Sequence, residues 1–454
     1  MEHPPITRAH KLSYPSRKGE IGPGGPGLLR EVNARQVLRL LRQHGPCSRA
    51  DLVRYSGLTA PTISNGVAHL QNMGLVEPMG AGSSNGGRPP QLIRFNSKLG
   101  YVIGADIGTS VVRAALADLD GAVIEEWIAS TNSNSTPKGV TAVLLGCIRN
   151  LLSRRKIPLD KILALAAGVP GITNARSGTV LSAPILTSGW ADVCLRRILE
   201  METGISALIE NDVNLAAVGE SWCGIAQGVK NFVFLTAGTG VGAGIFVDGH
   251  LYHGSDWTAG EIGYLYVPGT EEAPLAIHRP GSLESIIGAR AIERCWRKLC
   301  RADHRMGRRL RHVTSVSAIF DLAAHGEDRA AAILQRTARI LADAITNVCI
   351  ILNSSLVVLG GRVGSHPALF EATRRIVDRN EFCRPRLALS ALSRKAPLYG
   401  AVCLALSAAE AKIFPLASQP SLPLGLKEPP GVLPSLPALP RPGKAGYPLS
   451  RQAA

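Results

Sequence analysis

The chain has 454 residues, 45% hydrophobic and 5% aromatic, enough for two or three domains with real cores. Nine scattered cysteines without a CxxC pair exclude a disulfide framework, and no apolar run reads as membrane-spanning, so a cytoplasmic protein with no membrane partner is expected. The formal charge is +16, and residues 1–98 hold thirteen Lys/Arg against five Asp/Glu, a net +8. That balance suits a nucleic-acid-binding head on a milder body, although arginine-rich usage throughout a genome would give the same total.

Residues 1–27 are basic and rich in Pro and Gly, and are expected to form a disordered arm. An apolar stripe of Val32, Val37, Leu38, Leu40 and Leu41 predicts a helix over 31–44, stopped by Gly45-Pro46. Ser48 caps a short helix, RADLVRY, a tight turn follows at Ser56-Gly57-Leu58, and Thr59 caps the helix APTISNGVAHLQNMG. Two short helices around a Gly-containing turn read as helix-turn-helix. Strands over 75–79 and 91–95 flank AGSSNGGRPP as a wing. Thr62, Ser64, Asn65 and His69 would then face the major groove, with Arg88 reaching the minor groove or a phosphate. A helix pair that only packs is the alternative; the turn, the wing and the local charge favour DNA.

Residues 101–106, 111–118 and 123–130 read as strands, the last two joined across Asp120-Gly121. A helix over 138–154 and a strand over 162–168 follow. The densest glycine use lies in 207–264: a strand over 207–210, the polar pair Asn211-Asp212, a helix ending near Gly224, and strands over 231–236 and 243–247. A carboxylate at a strand end beside an amide suits removal of a proton from a bound hydroxyl. On this pair alone the favoured reading is that Asn211 or Asp212 only caps the next helix. Gly238, Gly240, Gly242 and Gly244 would let the backbone turn sharply and bring N–H groups to an anion. The segment after them is a strand, not a helix, so a β-hairpin phosphate loop fits and a dinucleotide fingerprint does not. The basic run RCWRKLCRADHRMGRRLRH at 294–312 reads as a solvated helix face and loop, with a second nucleic-acid contact as the minority reading. A strand over 356–359 enters Gly360-Gly361, a helix over 399–412 closes the domain, and the Pro-rich residues beyond are expected to be a disordered tail.

ENDVNLAAVGE, TAGTGVGAGI and AGEIGY, in that order, resemble the signature series of the ROK family, which unites bacterial sugar kinases with sugar-responsive repressors. GVPGITNARSGTVLSAPILTSGW (168–190), VVLGGRV (357–363) and LYGAVCLAL (398–406) keep the family's order, so the resemblance covers nearly all of 28–412. It implies an α/β protein: an N-terminal winged helix-turn-helix plus a two-lobed actin-like ATPase (ribonuclease H-like) domain. The domains would be 1–27 arm, 28–96 DNA-binding head, 97–412 effector domain and 413–454 tail. The head ends at a Gly-Gly-Arg-Pro similar to that of ROK repressors, and ROK kinases lack such a head.

The resemblance assigns sugar contacts to Asn211, Asp212, Glu261, Tyr264 and Glu284. Phosphate loops fall on Asp106, Gly108 and Thr109, and on Gly238, Thr239, Gly240 and Gly242. Kinase relatives carry glycine where this chain has Thr109; a β-branched residue resists positive φ and crowds a phosphate, which argues against ATP. The family's four zinc ligands fall on Tyr264, Leu275, Ile277 and Ser282, which cannot form an ordinary zinc site, so no cofactor and no metal are expected. The implied function is a sugar-responsive DNA-binding transcriptional regulator, a repressor of carbohydrate genes. Its partners would be a double-stranded operator, a sugar or sugar-phosphate effector, and a second copy in a homodimer or higher oligomer. The alternative is an ATP-dependent hexose kinase using Mg-ATP, with Asp212 as catalytic base.

Overall fold

The computed structural model describes residues 25–82, 89–131, 136–186, 189–270, 276, 279–302, 310 and 312–415. The head opens with α1 (Pro26–His44), which starts five residues before the predicted helix and inside the expected arm. Pro26 follows the N-cap Gly25; proline at the first helical position has no needed N–H to lose and a preset φ. Ser48 and Asp51 form a reciprocal capping box for α2 (Arg49–Ser56), and Gly57, at φ 69°, ends it in the left-handed region. Thr59 caps α3 (Ala60–Asn72). Ile63, Gly66, Val67 and Leu70 of α3 are buried together with Ala34, Val37, Leu38 and Leu41 of α1 and Leu52 of α2. Strands β1 (Cys47–Ser48), β2 (Val76–Ala81) and β3 (Gln91–Phe95) form an antiparallel sheet in the order β1-β3-β2. Of the expected arm (1–27) and tail (413–454), residues 1–24 and 416–454 lie outside the described residues, while Phe414 of the expected tail is buried.

The rest of the chain repeats one plan twice. In the first sheet, β4 (Tyr101–Ile107), β5 (Val111–Asp118) and β6 (Val123–Ser130) are antiparallel, while β7 (Ile162–Val169) and β11 (Ala207–Asn211) run parallel to β4. In the second, β12 (Phe232–Ala237), β13 (Val241–Val247) and β14 (His250–Leu251) are antiparallel, while β15 (Leu356–Gly360) and β16 (Arg386–Leu389) run parallel to β12. A small sheet of β8 (Ile172–Asn174), β9 (Thr179–Ser182) and β10 (Val193–Cys194) caps the first lobe. Helices α4 (Pro137–Arg155) and α5 (Leu195–Thr203) cover its outer face. On the second lobe that place is taken by α7 (Glu284–Ile287), α8 (Ala289–Ala302), α9 (Val316–Ala324), α10 (Asp328–Leu352), α11 (Gly361–Gly364) and α12 (Pro367–Val377).

Two helices fill the space between the sheets. α13 (Ala396–Ile413) lies on β4 and β7, α6 (Asp212–Cys223) lies on β12 and β13, and the two helices cross. Glycine sets how close they come. A Cβ at Gly400 would lie 1.8 Å from the Leu215 carbonyl oxygen, and one at Gly219 2.4 Å from that of Ala396. The stretch Ser393–Ile413 is long and apolar enough to cross a membrane by length and composition, which corrects the sequence reading that no run is. Its Leu398, Gly400, Ala401, Val402, Cys403, Ala405, Leu406 and Ala409 are buried between sheet and helix, as in the core helix of a two-layer lobe.

Candidate functional site

The cleft residues sit where strands end and helices begin. Parallel pairing with β7 brings Asn211 beside Val169 at the strand ends. Asn211 is the N-cap of α6: its Oδ1 accepts the Val213 and Asn214 N–H groups at 2.8 and 2.9 Å, and its Nδ2 donates to the Gly171 carbonyl at 2.8 Å. The cap reading therefore belongs to Asn211. Asp212, the first residue of the helix, accepts the Val213 N–H at 3.0 Å through Oδ1.

Behind this pair lies a group that sequence reasoning missed. Glu210, 4% exposed, accepts the Asn211 N–H and the Asn214 amide at 2.8 and 3.0 Å through Oε1. Its Oε2 meets His253 Nε2 at 2.7 Å, and the His253 ring packs edge-on against Trp257. That bond holds His253 protonated to higher pH than usual. Glu210 and His253 are 43 residues apart, so no local spacing signals them.

Of the expected first phosphate loop, Asp106 is buried at the end of β4 and paired with Arg113 (3.1 Å), while the Gly108 N–H is taken by the Val111 carbonyl at 2.9 Å. Thr109 is exposed and lies outside the left-handed region, so the conformational half of the argument against it does not hold. The second loop is the expected hairpin: β12 and β13 turn over Gly238-Thr239-Gly240, with the Gly238 N–H on the Gly240 carbonyl at 2.9 Å. Gly238 and Gly240 flank the turn as expected, whereas Gly242 and Gly244 lie inside β13, and none of the four glycines has a left-handed φ. Gly244 is required by packing instead, since its Cβ would lie 2.6 Å from that of Ala217 on α6.

Glu284 reaches this hairpin and accepts the Val241 N–H at 3.0 Å through Oε2. Gly260, at φ +89°, is held against β13 so closely that a Cβ would lie 1.9 Å from the Ala243 carbonyl oxygen. That fixes the adjoining Glu261. Burial, then Asp106, and also Glu261 push the Asp212 carboxyl up to about 7; burial and then Glu284 push Glu261 up to about 7. Burial raises Asp106 and Glu284, and burial followed by Glu261 and Glu284 raises the Tyr264 hydroxyl. Asp106, Asp212, Glu261, Glu284 and Tyr264 therefore lie near enough to influence one another's protons. Carboxyls that titrate near neutrality can both donate to and accept from hydroxyls, and can take a proton from one.

No cluster among the described residues could hold a metal. Tyr264 donates to the Ala276 carbonyl at 3.4 Å and Thr270 Oγ1 to Ser282 Oγ at 3.2 Å. A Cβ at Gly281 would lie 2.3 Å from the Gly263 carbonyl oxygen. Phenol and hydroxyl at Tyr264 and Ser282 do not fit a zinc site; Leu275 and Ile277 lie outside the described residues.

On the head, Pro61, Ser64, Asn65, Ala68 and Asn72 form the exposed stripe of α3. Thr62 and His69 are half-buried at its edge, and the Thr62 hydroxyl lies 2.9 Å from that of Thr59. Arg49 reaches Gln71 at 3.3 Å, which adds a cation beside the stripe that the sequence reading did not single out. Arg88 lies outside the described residues.

The model of the MarR family matches residues 30–87. A putative xylose repressor of Caldicellulosiruptor sp. (strain Rt8B.4) is 29% identical over 392 residues, spanning 85% of this chain and 98% of the relative. Among solved structures, a ROK family transcriptional regulator described as a homolog of the E. coli MLC protein superposes with a TM-score of 0.69 at 22% identity, covering 86% of this chain and all of that one. A ROK family glucokinase from Streptomyces griseus, in complex with glucose and AMPPNP, superposes with a TM-score of 0.57 at 24% identity, covering 67% of this chain and 99% of its own. The ROK family model matches residues 102–408, well over half the length, and the chain belongs to the ROK family.

Proposed function

We propose that this protein is a sugar-responsive transcriptional regulator, a repressor that acts as a homodimer on an operator in the cytoplasm. One observation carries the reading: a helix-turn-helix whose third helix leaves Ser64, Asn65 and Asn72 exposed is packed on the same molecule as a cluster of raised carboxyls, Asp212, Glu261 and Glu284. Asn211, Asp212, Glu261, Tyr264 and Glu284 would bind the effector. Thr62, Ser64, Asn65, His69 and Arg88 would contact DNA, with Ser64 and Asn65 central. The effector is a monosaccharide; the relative named for xylose and the glucokinase bound to glucose make those two sugars the first to try. Asp106 is engaged by Arg113 and the Gly108 N–H by Val111, which leaves little of the first loop for a nucleotide or its magnesium. On this reading the protein works without zinc, ATP or magnesium.

The kinase alternative draws on Asp212, whose value near 7 suits a general base. A purified preparation separates the two readings. Retardation of DNA flanking the gene, altered by xylose or glucose, is expected. ADP release from ATP dependent on either sugar would overturn it.

A further inference from the structure

Resting on that reading, we infer that the head and the first lobe form one lever, clamped by Glu410 and pivoting on the α6–α13 crossing. Near the end of α13, the Glu410 carboxylate takes Arg35 Nε of α1, and Arg42 Nη1 at 3.4 Å. Arg42 also donates to the Leu119 carbonyl at 2.8 Å, at the turn between β5 and β6, and its guanidinium lies 4.7 Å from the Phe95 ring centre. The Glu410 and Arg42 side chains are each 12% exposed. A buried ion pair holds one geometry because separating its partners leaves a charge without water.

The clamp matters because of what lies at the other end of α13. Gly400 crosses α6 against Leu215, about 15 Å along the axis from Glu410 at 1.5 Å per residue. Leu215 is one turn from Asp212, at the start of α6 in the cleft. α13 is seated on the first sheet, where a Cβ at Gly104 would lie 2.6 Å from the Val402 nitrogen, while α6 leaves the first sheet at β11, with Leu215 against Gly168, and its body is seated on the second, against Gly244. Motion of one lobe against the other is thus motion of α13 against α6 about Gly219 and Gly400. The head follows because α1 is fixed to α13 and to the Leu119 turn. α1 in turn packs on the reading helix α3 through Ala34 and Val37. Packed elements of this kind shift as rigid bodies between discrete arrangements.

The test is coupling in the full-length protein carrying Glu410→Gln, and separately Arg35→Gln on the head side. Sugar affinity is measured by calorimetry, and operator affinity with and without sugar by fluorescence anisotropy, using xylose and glucose as probes. A wild-type response within the usual range of about 5- to 150-fold should fall below about 2-fold in both variants. Sugar affinity and sugar-free operator affinity should stay within about 2-fold of wild type, which a merely structural loss would not allow. If both variants keep the wild-type response, the signal crosses at the 96–100 linker and the lever is wrong. A wild type that binds operator but responds to neither sugar overturns the sugar-sensing reading itself.

Discussion

Replacing Asp212 with asparagine removes a charge from the cleft while keeping the shape and the acceptor for the Val213 N–H. In the folded chain the Asp212 carboxyl is raised from 3.8 to about 7 by burial and by its carboxylate neighbours. A raised carboxyl binds its proton more tightly folded than unfolded. Folding thus takes up a proton between the two values, and stability falls as pH rises from 3.8 to about 7. Below that window the protonated acid and the amide are equivalent; above it the cost is complete and constant. At 1.36 kcal/mol per pH unit the whole span is worth at most about 4 kcal/mol. Proton sharing with Asp106 and Glu261 reduces that, so Asp212→Asn should gain about 1–3 kcal/mol on wild type between about pH 5 and about pH 8. Urea unfolding of the sugar-free proteins at several pH values measures the difference. Parallel stability curves across that range would show that Asp212 is not held near neutrality, and would remove the electrostatic account of the cleft.

Three further outcomes are expected. Elemental analysis should find no stoichiometric zinc, and chelator should leave the thermal midpoint unchanged; tetrahedral zinc would contradict the reading of Tyr264 and Ser282. Gly400→Ala should cost about 3 kcal/mol or more, because its Cβ would meet the Leu215 carbonyl oxygen, a backbone atom with nowhere to go; a wild-type midpoint would mean the helices cross less closely. Arg88→Ala should weaken operator binding and lower the salt slope by about one if it meets a phosphate; an unchanged slope would remove the wing from the interface.

Local signals were readable and long-range ones were not. Ser48, Gly57 and Thr59 mark the helix-turn-helix because caps act over three or four residues, and the structure uses each in that role. Asp120-Gly121 marks a hairpin because Gly121 takes φ 84°. Pro26 falls in the expected disordered arm because Pro and Gly signal loops on average, whereas the first position of a helix is where proline belongs. The short β16 has its place set by its parallel partner β15 across the sheet, not by its own four residues. Gly244 stands out in the sequence as one of a glycine run, but only the packed α6 shows that it makes room for Ala217. Likewise the apolarity of α13 cannot say whether sheet and helix or lipid surrounds it. The Glu210–His253 pair behind Asn211 depends entirely on the fold.

The most direct test of the central claim is operator titration with and without monosaccharide, for wild type and Asp212→Asn side by side. Sugar should change wild-type operator affinity by about 5- to 150-fold, a coupling of about 1–3 kcal/mol. The variant should bind sugar-free operator as wild type does and respond little or not at all. A variant that responds like wild type would place the effector site elsewhere and leave Asp212 as no more than the first residue of a helix.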